Sequence, residues 1–70
     1  MYNIYANHYK IDGEDFVAVS ILLHTAPVTE GACSTLIIGS ADSFDEAVSK
    51  AREYLAEAAH NGMQELKKMF

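Results

Sequence analysis

The sequence has 70 residues, half of them hydrophobic, with one cysteine and a net charge of −5. That is enough apolar material for a core, but a chain this short buries only about 60% of its unfolded surface, and a single cysteine excludes an internal disulfide framework. The acidic balance, without a basic stripe, argues against direct nucleic-acid binding, and runs such as Ile21-Leu22-Leu23 are far too short to span a bilayer.

Tyr2 to Ile11 carries three tyrosines and two isoleucines and reads as a first strand. Asp12-Gly13 follows, a dipeptide favoured in two-residue hairpin turns. Phe16 to Thr25 is the strongest strand signal in the chain. A two-residue loop pairs Ile11 with Glu14, Tyr9 with Phe16, His8 with Val17, Ala6 with Val19 and Ile4 with Ile21. One sheet face then collects Tyr2, Ile4, Ala6, His8, Val17, Val19, Ile21 and Leu23 as the side a helix covers. The other collects Asn3, Tyr5, Asn7, Tyr9, Phe16, Ala18, Ser20, Leu22 and His24. A three-residue loop would slip the register by one and scramble this sorting.

Ala26 to Gly31 reads as a loop, since Pro27 cannot donate to a ladder and Gly31 suits a turn. Ala32 to Ile38 is the third strand, ended by Gly39. Paired back on the second strand, it adds Leu36 and Ile38 to the core face and Cys33, Thr35 and Ile37 to the outer face. Ser43 to Asn61 is an amphipathic helix. Ser43 and Glu46 form an S-x-x-E capping box, and Asp42, Asp45 and Glu46 oppose the positive end of the helix dipole. Phe44, Ala47, Val48, Ala51, Tyr54, Leu55 and Ala58 fall on one face. Asn61-Gly62 is a stop. Residues 63–69 repeat a helical spacing and read as a second short helix, with continuation of the main helix through Gly62 as the alternative. The expected fold is one α+β domain over residues 1–70: a three-stranded antiparallel meander followed by one long C-terminal helix.

One helix covers one face of such a sheet. The other face leaves Tyr5, Tyr9, Phe16, Leu22 and Ile37 to meet something, and the segment with Met63, Leu66 and Phe70 also needs a surface. Exposed apolar patches of several hundred Å² usually mark interaction sites. These eight residues are the expected interface, and a homodimer is the expected assembly, because small domains lacking disulfides or metals gain stability from a second copy. The expected function is non-enzymatic binding of a protein partner or a small apolar ligand, with no cofactor and no metal. The absence of a signal pattern at Met1–His8 and the lone Cys33 point to a reducing cytoplasm.

The sole enzymatic alternative is His24 with Cys33, placed opposite one another by the expected meander. A thiolate–imidazole pair is how nucleophilic cysteines are activated, but no third orienting group is evident. His60 suits the negative end of the helix dipole. Asp12, Glu14 and Asp15 read as a solvated hairpin tip, and the four glycines fit no phosphate-cradling motif.

The Asp12-Gly13 hairpin and the helix start Ser40-Ala41-Asp42-Ser43-Phe44-Asp45-Glu46-Ala47 together resemble the HicB-like antitoxin domain. That family has an aspartate–glycine hairpin, an aromatic-valine strand and a Gly-Asp-Thr/Ser-x-Glu-Glu-Ala approach to its helix. The resemblance covers residues 2 to 58 in element order; the family's Pro-Gly-Cys segment is missing, and Cys33 lies too far from Gly39 for the family spacing. It implies a toxin-neutralising or RNA-related regulatory role and brings no catalytic residues.

Overall fold

The computed structural model describes residues 1–23 and 32–66. β1 (Tyr2–Ile11) and β2 (Glu14–Leu23) form an antiparallel hairpin in the expected register, from Ile11 opposite Glu14 to Tyr2 opposite Leu23. The turn residues Asp12 and Gly13 both have positive φ, 51° and 81°. That is the backbone of a type I′ turn, whose twist matches the flanking strands.

β3 (Ser34–Ala41) pairs antiparallel with β1, with His8 opposite Ser34 and Tyr2 opposite Ala41. The sheet order is β3-β1-β2-β4, so the expected meander is corrected: β1, not β2, is the neighbour of β3. The reason lies in chain length and in Asn7. Residues 24–33 separate the two strands, far more than a tight turn needs and enough to run back along the sheet. Asn7 in β1 is only 2% exposed and requires polar partners in the sheet. It has one on each side, Ser20 and Thr35, and the second is within reach only if β3 lies beside β1.

A bulge between Ile4 and Tyr5 sets both Ile38 and Gly39 against Ile4, since Ile4 pairs with Gly39 and Tyr5 with Ile37. Alternation from Leu36 already points Ile38 to the core, where it packs on both halves of the helix-covered cluster; the extra residue shifts the phase beyond it, so that Ala41, opposite Tyr2, also comes to the core side. Leu36 remains on the core side and Thr35 and Ile37 on the outer side, because pairing to β1 preserves the alternation that pairing to β2 would have produced.

α1 (Phe44–His60) starts at Ser43, whose Oγ accepts from the Glu46 N–H at 3.2 Å. The Glu46 carboxylate lies 3.7 Å from Lys50 Nζ, which also donates to the Ser40 carbonyl at 2.8 Å and so ties the helix to β3. The helix ends in a Schellman motif: Met63 N–H donates to Ala58 O and Gly62 N–H to Ala59 O, with Gly62 at φ 88°. Ala47, Ala51 and Ala58 are buried against Ile4, Ala6, Val17 and Ala41, with Val19, Ile21, Tyr54 and Leu55 around them. Alanines on the contact face let the helix sit close to the sheet. Phe44 departs from its expected inner position. It is 53% exposed and meets Tyr2 edge-on, with centroids 5.8 Å apart.

After the helix, β4 (Gln64–Glu65) adds to the free edge of β2 in parallel. This corrects the expected second helix at 63–69. The Schellman turn carries Met63 back onto the helix-side core, and Leu66 N–H donates to Val17 O at 2.8 Å. A helix of that length is marginal in isolation, whereas strand addition satisfies an open sheet edge. Residues 67–70 of that segment lie outside the described residues.

Ile4 is fully buried, whereas Ile11 is 42% exposed at the hairpin end. Ile4→Ala is expected to cost about 3 kcal/mol and Ile11→Ala under about 0.5 kcal/mol, both read by urea denaturation monitored by circular dichroism.

Candidate functional site

The expected interface residues divide between two surfaces. Tyr5, Tyr9, Phe16, Leu22 and Ile37 share the sheet face away from α1: Tyr5 pairs with Ile37, Tyr9 with Phe16, and Leu22 with Asn3. Their exposure is uneven. Tyr9 is buried, Tyr5, Phe16 and Leu22 are half-buried, and Ile37 is 57% exposed. Met63 belongs to the other side, packed in the helix-covered cluster. Leu66 is half-buried beyond β4, and Phe70 lies outside the described residues.

Between the large side chains of this face runs a polar row. Asn7 Nδ2 donates to Ser20 Oγ at 3.0 Å, and Thr35 Oγ1 donates to Asn7 Oδ1 at 3.1 Å. The row crosses β2, β1 and β3 and leaves no buried side-chain polar atom unsatisfied among the described residues.

The register that set His24 opposite Cys33 rested on β2 and β3 being neighbours, which they are not. With β1 standing between β2 and β3, the register no longer sets Cys33 opposite β2; its backbone N–H donates to His8 O on β1 at 2.7 Å, and the residue is exposed. His24 lies outside the described residues. No group of three histidine, cysteine or acidic side chains suited to hold a metal occurs among the described residues. Asp12, Glu14 and Asp15 are all exposed at the hairpin tip, and His60 is exposed in the last helical turn.

The feature not anticipated from sequence lies where α1 meets β3. His8 links three elements: its Nε2 is 3.1 Å from Tyr54 Oη on α1, and its Nδ1 is 3.4 Å from Ser34 Oγ on β3. A neutral imidazole carries one N–H, so one hydroxyl donates to the ring and the other accepts from it. Alternation put His8 on the core face, and helical spacing put Tyr54 on the inner helix face. Only the pairing of β1 with β3 adds Ser34. Beside this link an open groove of about 450 Å³ runs between helix and strand, lined by Ile38, Lys50, Glu53, Tyr54 and Glu57. Lys50 is occupied by Glu46 and the Ser40 carbonyl. The Glu53 and Glu57 carboxylates have no ion-pair partner among the described residues.

The two sheet edges differ. β4 is two residues long and includes an acid. β3 is eight residues long, Ser-Thr-Leu-Ile-Ile-Gly-Ser-Ala, without charge or proline, and Leu36 is 46% exposed on it. Exposed edges of that kind are templates for another strand. No helix among the described residues is long and apolar enough to cross a membrane. No protein-family model matches the chain, and neither a curated protein nor a solved structure matches it.

Tyr54→Phe removes one partner of His8 while keeping the ring in place. It is expected to cost about 1 kcal/mol in denaturant unfolding and to shift the His8 side-chain nitrogen resonances, with the strand pairing intact.

Proposed function

We propose that the chain is a small non-enzymatic interaction domain that works by adding a strand to its β3 edge, and that in isolation the added strand is β3 of a second copy. The observation that carries this is the contrast between the edges: β4 is short and acidic, whereas β3 is long, uncharged and apolar at Leu36 and Ile37. Natural sheets blunt an exposed edge with charge, proline, brevity or a bulge; β3 has only the bulge, at Ile38 and Gly39, and residues 34–37 ahead of it carry none of these. Identical strands pairing antiparallel give a closed two-fold dimer with a continuous sheet. Ile37 and Tyr5, neighbours on the outer face, then join the interface. The groove is open and acid-lined, which favours a protein strand over a small apolar ligand. A single exposed cysteine fits a reducing, cytoplasmic setting.

A second reading, HicB-like toxin neutralisation, draws support from the Asp12-Gly13 turn and the Ser43-capped helix start, the two features on which that resemblance rests. Co-purification of a small basic ribonuclease in place of a second copy would favour it.

Sedimentation equilibrium at micromolar concentration is expected to return twice the 7.7 kDa monomer mass. Ile37→Lys sets like charges close together across the paired strands and is expected to weaken the dimer about tenfold, with an unchanged circular dichroism spectrum. A native chain that stays monomeric over that range overturns the reading.

A further inference from the structure

We infer that the β3 edge, with the groove above it, accepts a basic extended segment of a partner protein in which lysine or arginine alternates with smaller residues. The inference rests on the strand-addition reading and deepens it by naming the chemistry of the partner strand. A strand added to β3 continues the sheet, so every second side chain points to the helix side and lies next to Leu36 and Ile38. Leu36 is 46% exposed there, and Ile38 forms part of the groove lining. Above them stand Glu53 and Glu57, four residues apart on one helix face.

A lysine or arginine fits both levels. Its methylene stem covers apolar surface while its charged head reaches outward, here to the Glu53 and Glu57 carboxylates, which have no ion-pair partner among the described residues. Among the described residues, Lys50 is the one basic side chain lining the groove; it is held by Glu46 and by the Ser40 carbonyl, so it leaves the two glutamates available. On the outer side the added strand passes Ile37 and needs only small or β-branched residues.

A second copy fits the edge but not the charge. Antiparallel pairing of two β3 strands puts both helices on one side of the joined sheet, so Glu53 and Glu57 of each copy face one shared seam. Each chain also carries a net −5. The homodimer is therefore opposed by like charge, and the complex with a basic strand is not. The two associations must respond oppositely to salt: screening tightens the dimer and loosens the basic-strand complex. A partner of this type exchanges with the second copy at one edge.

The test uses the full chain and a fluorescent peptide, Lys-Thr-Lys-Val-Lys-Thr-Lys, with glutamine and glutamate versions as controls. Anisotropy is expected to show the lysine peptide binding at low salt and releasing as salt rises, with the glutamate peptide failing to bind. Glu53→Gln/Glu57→Gln is expected to weaken binding about fivefold, the size of two exposed ion pairs, and to leave the fold unchanged because both side chains are exposed. In the same variant the homodimer tightens. Hydrogen exchange of amides 34–41 separates the two levels of the claim. Slowed exchange on binding supports strand addition; binding without slowed exchange overturns the edge reading itself. Slowed exchange with the lysine and glutamine peptides equal, or with the double variant binding as tightly as the native chain, overturns the inference about charge alone. Slowed exchange from the second copy only, with no displacement by the lysine peptide, also overturns it.

Discussion

The side-chain amide of Asn7 holds three strands from the middle of the sheet. Its nitrogen donates to Ser20 on β2 and its oxygen accepts from Thr35 on β3. A buried amide without partners costs roughly 1–3 kcal/mol for each unsatisfied group, a large share of the margin of so small a chain. The pair of bonds therefore acts as a constraint on topology as well as a stabilising contact. It requires a hydroxyl on both neighbours of β1, and that requirement is met by only one strand order. With β1 in the centre, Ile4 and Ala6 lie under the helix with no exposure, and the bulge in β3 brings Ala41 round to join Ile4.

The consequence for interaction follows from which strands are left outside. Centring β1 makes β2 and β3 the outer members of the antiparallel trio. The edge of β2 is then taken up by β4 after the Schellman turn. The edge of β3 is not covered by any element among the described residues. The same arrangement sets Ser34 beside His8 and lets Tyr54 close the link from the helix, which fixes the wall of the groove at that edge. The outer sheet face is less open than its composition suggests, because Asn7, Tyr9 and Ala18 on it are buried.

Much of this was legible in the residues. Asp12-Gly13 specifies a turn geometry that few other dipeptides accept, and alternation then propagates that register along ten residues on either side. Ser43 and Gly62 mark the helix ends through hydrogen bonds that are local in sequence. The position of β3 was not legible from pattern alone: Leu36 and Ile37 alternate identically against β1 or β2, so face assignment survives while strand order does not. The informative signal was the polar Asn7 in the middle of β1, buried where Asn3 and Lys10 of the same strand are not, together with a connection too long for a tight turn. The end of the chain misled for a different reason. Met63 and Leu66 are three apart and satisfy a helical spacing, but Gly62 reverses the backbone first, and the open edge of β2 then decides the outcome. The interface residues split for the same reason, Met63 going to the core and Ile37 to the exposed edge. The expected register between His24 and Cys33 rested on β3 pairing with β2, whereas β3 pairs with β1, and His24 lies outside the described residues.

The central claim is that β1 lies between β2 and β3. Proton–proton contacts between backbone Hα and HN atoms, measured by NMR on the isotope-labelled chain, test it most directly. The account predicts cross-strand contacts of Asn7 with Thr35 and of Tyr2 with Ala41, alongside the hairpin contacts of Asn7 with Ala18. Contacts of β3 with Val19 and Ile21 of β2, in place of those with β1, would contradict it.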